Sequence, residues 1–371
     1  MGREGANGQG KTLALTLQAC CSQKKFCARW RIFLKISRIK FVMNSYFLLA
    51  PMATLSHEAF RRTVASFGFC DEYFNEMINA GSLIHQGPFE KYYLMNETAK
   101  EKLVWQITGS RKDYMVNAAS VLCGLEGRGI DINMGCCAPQ IACTGAGISW
   151  MTKPVTETMD MVRSVKSQIE NSAKDGKTPL RLSVKLRLGD EDFTEEKFFS
   201  FVQNLIDEGV QMITLHPRTR KEKLSRPCRW EFVQKTAEKF PHIPVVLNGA
   251  VKDLESFVAA KKAAPASSGI MIARSIAQKP WLFAELSGKS LEIDCEELAL
   301  NFIDNLEQCQ PEEFWPTRLK RFFTFFCLNF SFGHYFQAKM LNVKDNMEAR
   351  KTVEQYFKEC PGDRIIHVNK K

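Results

Sequence analysis

Short apolar segments alternate with longer amphipathic stretches along most of the chain. Each apolar segment ends in a polar or glycine-bearing tip, and most are followed by a stretch long enough for a helix. Such alternation predicts parallel strands joined by crossover helices. The predicted strands are 46–52, 70–77, 103–109, 129–135, 182–189, 212–218, 244–249 and 269–274.

Two of the intervening helices show clear boundary signals. Pro154 suits the first turn of a helix whose apolar residues recur every three or four positions. Asp192 and Glu195 have the spacing of a capping box, which predicts that a second helix begins there, and Gly209 is a suitable terminator. The apolar face of the first helix consists of Val155, Met159, Val162, Val165 and Ile169.

Eight parallel strands can close into a barrel or remain an open, doubly wound sheet. An open sheet normally carries phosphate-binding glycines after its first strand, where this chain has residues 50–53 without glycine. Here the candidate phosphate turns come last, at 248–250 and 273–275, followed by a short helix near Pro280. TIM barrels commonly hold phosphate at this place. We therefore predict an α/β fold in which residues 45–290 form a (β/α)8 TIM barrel that binds a phosphate ester.

The last part of the chain, residues 295–371, has helical periodicity instead. Segments 297–306, 312–328 and 347–357 predict helices, and hence a smaller C-terminal all-helical domain. Its candidate RNA contacts are Arg318, Lys320 and Arg321, which lie beside an aromatic run at 322–330. Because the phenylalanines are so densely spaced, packing between helices is favoured over base stacking for them.

Composition and charge limit the classes of function that the chain can have. Hydrophobic residues make up 45% of the 371 positions, which is enough for a sizeable core. The formal net charge is +10, but residues 1–44 hold nine Lys or Arg against one acid and so supply +8 of it. An RNA-binding surface on the remainder must therefore be a local patch.

The basic segment 1–44 is predicted to be a disordered extension, and three roles stay open. It could be a transit peptide, a flexible arm that touches RNA, or a stretch before a translation start at Met43. Residues 5–12 match the phosphate-loop pattern GxxxxGK[ST], but only four residues precede them. Because a phosphate loop must follow a buried strand, this match is interpreted as accidental.

The thirteen cysteines include no CxxC pair, which gives little support to a zinc site or a disulfide framework. A reducing, cytoplasmic location fits this usage better. No run of about 18 apolar residues is present, so a membrane span is not expected.

Polar residues stand at the carboxyl ends of five predicted strands, the face where barrel enzymes keep their active sites. An inward Lys185 is costly unless it meets an anion, an electron-rich ring or a structural ion-pair partner. His216 is interpreted as a hydrogen-bond donor that can switch at neutral pH, or else as a satisfied core histidine. The five tips are Gln106, Asn133, Lys185, His216 and Asn248.

Cys136 follows the fourth predicted strand, and the next helix is expected only near Pro154. The connection 137–153 contains Gly145 and Gly147 and is predicted to be a long, hinged lid. A thiol on such a lid can deliver a proton in a closed pocket, although a free cysteine is also often a small buried hydrophobe.

Taken in order, these motifs resemble those of the tRNA-dihydrouridine synthase (Dus) family of flavin enzymes. The resemblance spans about 49–283. It rests on 50–53 (APMA), 60–62 (FRR), 106–109 (QITG), 131–136 (DINMGC), 145–147 (GAG), 184–187 (VKLR), 216–220 (HPRTR), 248–249 (NG) and 271–274 (MIAR).

The resemblance implies roles for individual residues. Cys136 would be the general acid that protonates C5 of a flipped-out uracil, while hydride from reduced FMN reaches C6 and NADPH serves as reductant. Asn133 and Arg218 would position the base or cofactor, and the C-terminal helices, with the basic patch, would bind tRNA. A monomer without an obligatory protein partner is expected. The residues implied in FMN binding are Pro51, Met52, Ala53, Gln106, Lys185, His216, Asn248, Gly249, Ala250, Ala273 and Arg274.

The chain departs from the family pattern on the loop that carries Cys136. Cys137 stands where proline is usual, Gln140 and Thr144 stand where Lys or Arg is usual, and Ala273 replaces a common glycine. Two other functions therefore stay open: an FMN-dependent barrel oxidoreductase acting on a small molecule, and an RNA-binding relative without catalysis.

Overall fold

The computed structural model describes residues 45–173, 178–190, 192–222 and 225–369. The predictions for segment 1–44 lie outside these ranges. Parallel strands occur at every position predicted for one, and a short extra strand follows the second. The strands are β1 Phe47–Leu49, β2 Glu72–Phe74, β3 Ile78–Asn79, β4 Leu103–Thr108, β5 Gly129–Met134, β6 Arg181–Leu186, β7 Met212–Leu215, β8 Val245–Asn248 and β9 Gly269–Ile272.

The sheet closes on itself, which confirms the barrel and excludes the open sheet. β1 pairs with β2 on one side and with β9 on the other, with Leu48 opposite both Glu72 and Met271. β2 also pairs with β4, where Tyr73 lies opposite Leu103. Inward apolar side chains, including Leu48 and Met271, fill the interior. At the amino end of the strands, the fully buried Glu72 accepts hydrogen bonds from Arg181 at 2.6 and 2.7 Å.

Helices cover the outside of the barrel and follow the strands in sequence. They are α1 Glu58–Ala65, α2 Ala80–Ile84, α3 Glu90–Tyr93, α4 Lys112–Cys123, α5 Pro139–Ala142, α6 Val155–Ser172, α7 Glu195–Asp207, α8 Glu231–Lys239, α9 Leu254–Ala263, α10 Arg274–Gln278 and α11 Leu282–Leu286.

Two predicted helix starts need adjustment. Pro154 is the N-cap of α6, one residue outside the helix, with a ψ of 130°. Thr194 caps α7, because its hydroxyl accepts a hydrogen bond from the amide of Lys197 at 3.2 Å. The predicted capping pair of Asp192 and Glu195 is therefore wrong, since Glu195 is itself the first helical residue.

The C-terminal region contains the three predicted helices and two elements that were not predicted. The helices are α12 Cys295–Cys309, α13 Trp315–Phe326, α14 Gly333–Leu341 and α15 Asn346–Glu359, of which α14 is new. A small antiparallel sheet joins β10 Leu291–Asp294 to β11 Ile365–Val368. Beyond β11, the side-chain amide of Asn369 donates to the carbonyls of Glu285 and Lys289, both at 2.9 Å.

The phenylalanines of the C-terminal helices pack against one another, as their spacing predicts. Phe322 stacks on Phe302 with ring centroids 3.9 Å apart, and Phe336 stacks on Tyr356 at 4.1 Å. Phe322 also meets Phe60 of α1 edge-on, so this aromatic core joins the helices to the barrel. In the described ranges, we find no helix both long and apolar enough to cross a membrane.

Candidate functional site

A cavity of about 580 Å³ opens at the carboxyl ends of the barrel strands. Among the described residues that line it, none is a carboxylate, whereas Lys185, Arg218, Lys252 and Arg274 are cations. This lining favours an anionic ligand. The predicted cofactor-binding residues that line the cavity are Pro51, Lys185, His216, Asn248, Gly249, Ala250, Ala273 and Arg274, and the predicted substrate residue Arg218 lies with them.

Lys185 presents a desolvated ammonium group to this cavity. Within the described ranges we find no hydrogen-bond or ion-pair partner for its side chain. Burial lowers its pKa to about 8, and the neighbouring Arg187 acts in the same direction against the weaker opposing effect of Asp131. A buried cation in this state gains most from a ligand that offers negative charge or electron density.

His216 is held as a neutral ring. Arg218 donates from Nη1 to Nε2 of His216 at 2.9 Å, so Nε2 accepts and the ring proton sits on Nδ1. Burial, together with the charges of Lys185 and Arg187, lowers the pKa of His216 to about 2. The expectation of a pH-switchable histidine is therefore corrected: His216 can donate a hydrogen bond from Nδ1, but it stays uncharged at neutral pH.

The turn after β8 has a backbone that requires glycine. Gly249 has a φ of +117°, and a Cβ there would lie 2.8 Å from Sγ of Cys228 and 2.9 Å from Cδ2 of His216. Ala250 follows with a φ of 64°. The side-chain amide of Asn248 donates to the carbonyl of Met271 at 2.8 Å and so fixes the ends of β8 and β9 together. The turn is thus rigid and closely packed at the place predicted for a phosphate.

The loop that carries Cys136 is compact. Backbone N–H groups of Gly135 and Cys136 donate to Oδ1 of Asn133 at 3.1 and 2.9 Å. The segment then forms α5 and a 3-10 turn over Gly147–Met151, and the amide of Ile148 donates to the carbonyl of Cys136 at 3.0 Å. The connection 137–153, predicted to be a long, hinged lid, is compact, because these turns fold back onto Cys136, and its movement stays a prediction.

Gly147 is the residue that permits this fold-back. Its φ is +60°, and a Cβ there would lie 2.6 Å from the carbonyl oxygen of Cys136. Gly145 also has a positive φ, of 82°. Gly147 thus serves a close approach of backbone to the cysteine, whereas Gly145 provides a left-handed backbone position earlier in the loop.

The half-buried thiol of Cys136 is protonated at neutral pH. Burial raises its pKa above the ordinary value, and Cys137 adds to that effect, whereas Lys185 and Arg187 oppose it. Arg187 donates from Nε to the carbonyl of Gly135 at 3.0 Å, which places its guanidinium beside this loop. A protonated thiol suits proton donation better than nucleophilic attack.

Three predicted cofactor residues do not line the cavity. Met52 and Gln106 are buried, and Ala53 is exposed. Gln106 nevertheless belongs to the same strand ends, because its Oε1 accepts from Nδ2 of Asn133 at 2.9 Å. Asn133 itself is buried at the end of β5, next to the cysteine loop. Their contacts with a cofactor or substrate stay predictions.

The basic patch on α13 divides into an inner and an outer part. Arg318 is only 2% exposed and forms an ion pair with Glu76, so the structure corrects its assignment as a surface RNA contact. Lys320 is half-buried and Arg321 is exposed. The guanidinium of Arg321 lies 5.2 Å from the ring centroid of Phe325.

Several residues of the cavity wall were not identified from the sequence. Phe325 and Leu328, at the end of α13, line the cavity together with Lys252, Ser275 and Gln278. The side-chain amide of Asn329 donates to the carbonyl of Gln278 at 2.6 Å and holds the end of α13 against α10. Lys252 could have been identified as a cation two residues after the turn at 248–250, but nothing local to Phe325 distinguished it from its packed neighbours.

Comparison with known proteins gives concordant results. Residues 48–363 match the family model described as Dihydrouridine synthase (Dus). The chain is 26% identical over 321 residues to probable tRNA-dihydrouridine synthase 2 of Bacillus subtilis, covering 84% of this chain and 94% of that protein. It is 30% identical over 257 residues to a probable tRNA-dihydrouridine synthase of Aquifex aeolicus, covering 67% and 75%. A Rickettsia prowazekii protein of the same description is 30% identical over 258 residues, covering 68% and 73%.

Proposed function

The chain belongs to the dihydrouridine synthase family, and on that premise we propose that it reduces the C5–C6 double bond of specific uridines in tRNA, with FMN as cofactor and NADPH as reductant. The observation that carries the proposal is the cation-lined cavity at the carboxyl ends of the barrel strands, with the loop that carries Cys136 at the end of the neighbouring strand β5. This arrangement suits a phosphate-bearing ring system with a proton donor nearby.

The cations that line the cavity suit the phosphate of FMN. Asn248, Gly249 and Ala250 would hold its phosphate end together with Ala273 and Arg274, since the turn is rigid and Arg274 is exposed to the cavity. Lys185 would face the electron-rich edge of the ring system, where a ligand offsets the cost of its burial. His216, fixed with its proton on Nδ1, would donate a hydrogen bond beside it.

The proton in the reaction would come from Cys136. When bound and reduced, FMN supplies a hydride to C6 of the uracil. Cys136 would give its S–H proton to C5 and then regain a proton from solvent. The raised pKa supports this role, because the thiol is kept in its acid form at neutral pH. Asn133 and Arg218 would position the base.

The substrate would reach the cavity as a flipped-out base, since chemistry on a stacked base is inaccessible. Lys320 and Arg321 would contact tRNA phosphates at the face of α13, and Phe325 connects that face to the cavity wall. NADPH would use the same cavity mouth before tRNA binds. The proposal further places the protein in the cytosol as a monomer, where the free thiols of the described ranges stay reduced.

One observation supports a test of the other two functions. Gln140 and Thr144 are exposed beside Cys136 and provide no positive charge for RNA phosphates. A flavin enzyme acting on a small molecule, or an inactive RNA-binding relative, would tolerate the lack of positive charge at these two positions more readily than an enzyme acting on tRNA.

One experiment separates the three functions. The protein is purified to test for bound FMN, and dihydrouridine is mapped in tRNA from a strain that lacks the gene. The proposal expects a yellow protein and the loss of dihydrouridine at one or a few positions. A yellow protein with unchanged dihydrouridine at every position would favour a small-molecule substrate, and a colourless protein with unchanged tRNA would favour the inactive relative.

A further inference from the structure

A continuous chain of hydrogen bonds runs from a buried carboxylate to the backbone of Cys136. Asp131 is fully buried in β5 and accepts from Oγ of Ser183 and from Nε2 of Gln106, both at 2.7 Å. Gln106 Oε1 accepts from Nδ2 of Asn133 at 2.9 Å. Asn133 Oδ1 then accepts from the backbone N–H groups of Gly135 and Cys136 at 3.1 and 2.9 Å.

The direction of every bond in this chain is forced. Backbone N–H groups can only donate, so Asn133 must turn its oxygen toward the Cys136 loop and its nitrogen toward Gln106. Gln106 must then present its oxygen to Asn133, which leaves its Nε2 in need of an acceptor. An ionised carboxylate only accepts, so Asp131 is the group that fixes both amides in this orientation.

We propose that Asp131 is a positioning residue for Cys136, acting through the side chains of Gln106 and Asn133. This inference rests on the proposed role of Cys136 as the proton donor. Asp131 does not line the cavity, so it sets the geometry of the donor without touching the reacting atoms. Buried hydrogen-bonded chains of this kind hold functional groups within the narrow limits that catalysis requires.

The charge on Asp131 persists at neutral pH. Burial raises its pKa to about 6, against the hydrogen bonds from Gln106 and Ser183 and the nearby charge of Lys185, which lower it. The carboxylate is therefore the majority form at pH 7, and it can accept at both oxygens as the chain requires.

Asp131→Asn tests the inference because it reverses a donor and an acceptor without changing size. An asparagine that keeps its oxygen toward Ser183 turns its nitrogen toward Nε2 of Gln106, so two donors face each other, whereas the opposite orientation, in which Oγ of Ser183 accepts, would preserve the chain. To separate these two donors, the side-chain amides of Gln106 and then Asn133 must rotate by half a turn. That rotation would turn Nδ2 of Asn133 toward the N–H groups of Gly135 and Cys136. In the double variant Asp131→Asn/Gln106→Glu, the new carboxylate accepts from both sides, and the original direction of the chain is restored.

The principal readout is the alkylation of Cys136 by iodoacetamide, resolved by peptide mass spectrometry in cofactor-free protein, with the exposed Cys143 as internal reference. A loosened loop exposes the thiol and raises its thiolate fraction, so Asp131→Asn should alkylate Cys136 about threefold faster or more at pH 8. The double variant should return to the wild-type rate. Ser183→Ala is the matched control, because it removes a donor to the same carboxylate without reversing an amide, and it should change the rate less.

A second readout is single-turnover reduction of uridine by the flavin-loaded protein, which Asp131→Asn should slow about tenfold or more, since small misplacements of a catalytic group are costly. The inference is overturned if folded Asp131→Leu, which removes both acceptor oxygens at similar volume, shows wild-type alkylation of Cys136, or if Asp131→Asn alkylates faster and the double variant behaves like it. Should Asp131→Asn not fold, Gln106→Met removes the central link at similar volume, and wild-type Cys136 reactivity in that variant overturns the inference as well.

The two proposals fail separately. If wild-type protein reduces no uridine while the alkylation rates follow the predicted order, the positioning role stands and the proposed function falls. If uridine is reduced and Cys136 is insensitive to Asp131, the proposed function stands and the positioning role falls.

Discussion

Arg318 of α13 and Glu76, which follows β2, form a buried ion pair between the C-terminal helices and the barrel. Nη2 of Arg318 lies 2.8 Å from Oε1 of Glu76 without the alignment of a hydrogen bond, so their attraction is Coulombic. The other oxygen, Oε2, accepts from the backbone N–H of Thr54 at 2.7 Å. Thr54 has a φ of 63° and directly follows Pro51, Met52 and Ala53. The pair thus links α13 to the loop predicted to contact the cofactor ring.

Removing Arg318 should destabilise the protein. Arg318→Met keeps the length that packs near Tyr93 and Phe314 but leaves the Glu76 carboxylate buried without its ion-pair partner. Loss of one partner of a buried pair costs about 3 kcal/mol or more. Urea unfolding measures the change, and the double variant Arg318→Met/Glu76→Gln should recover part of it. Equal stability of Arg318→Met and wild type would show that the pair contributes nothing.

Lys320 and Arg321 should act on tRNA binding and not on stability. The variant Lys320→Gln/Arg321→Gln should weaken tRNA binding. The dependence of the affinity on salt concentration should also fall, by about one phosphate contact for each lost cation that reaches a phosphate. The unfolding free energy of this variant should stay within about 0.5 kcal/mol of wild type, because Arg321 is exposed and Lys320 is only half-buried. Filter binding over a range of salt concentrations gives both quantities. An unchanged salt slope would remove this face of α13 from the tRNA interface.

Cys136→Ala should abolish product while leaving the cofactor bound. A general acid contributes about a hundredfold or more to rate, and the thiol does not line the cavity. Cys137→Ala is the neighbouring control and should have little effect. Dihydrouridine is quantified by mass spectrometry and bound flavin by absorbance. Equal loss from both variants would overturn the choice of thiol.

The rate of uridine reduction should fall at alkaline pH. The acid form of Cys136 is required, and burial raises its pKa above the ordinary value of 9.0, so the rate should be flat near neutrality and decline only as pH passes that value. Single turnovers with pre-reduced flavin isolate this step from the reaction with NADPH. A decline centred below pH 8 would show that another group, or a thiolate, limits the reaction.

Gly249→Ala should lose cofactor affinity and stability together. The positive φ and the approaching Sγ of Cys228 leave no room for a methyl group, and such strain costs about 1–3 kcal/mol. Gly362→Ala is a suitable control, because no atom lies within 4 Å of the Cβ it would add. Flavin titration and thermal unfolding report the two effects. Normal flavin binding by Gly249→Ala would place the phosphate elsewhere.

Much of the barrel could be predicted because each strand is an apolar segment with a polar tip. The C-terminal sheet could not, since β10 and β11 have only four residues each, and the alternation of apolar and acidic residues in β10 is too short to distinguish a strand. The compact Cys136 loop was also missed, because its turns depend on Gly147 approaching the backbone of Cys136, a contact that no local pattern shows.

The misplacement of Arg318 could have been avoided. On a helix, residues 318, 322 and 326 share one face, and Phe322 and Phe326 are fully buried. The same spacing turns Arg321 toward Phe325 and the cavity mouth. Arg318, Lys320 and Arg321 were assigned to one patch because they are close in sequence. Helical geometry instead makes the first structural and leaves the other two accessible.

The C-terminal helices are fastened at two places that are distant in sequence. At the first place, β11 and Asn369 pair with residues 285–294. At the second, the ion pair of Arg318 with Glu76 holds α13 beside the loop after β1. Two such anchors oppose a swivel about a single hinge, so the separation between Arg321 and Cys136 is set by the fold. Under the proposed function, an RNA that contacts both Arg321 and Cys136 would therefore have to span this fixed distance.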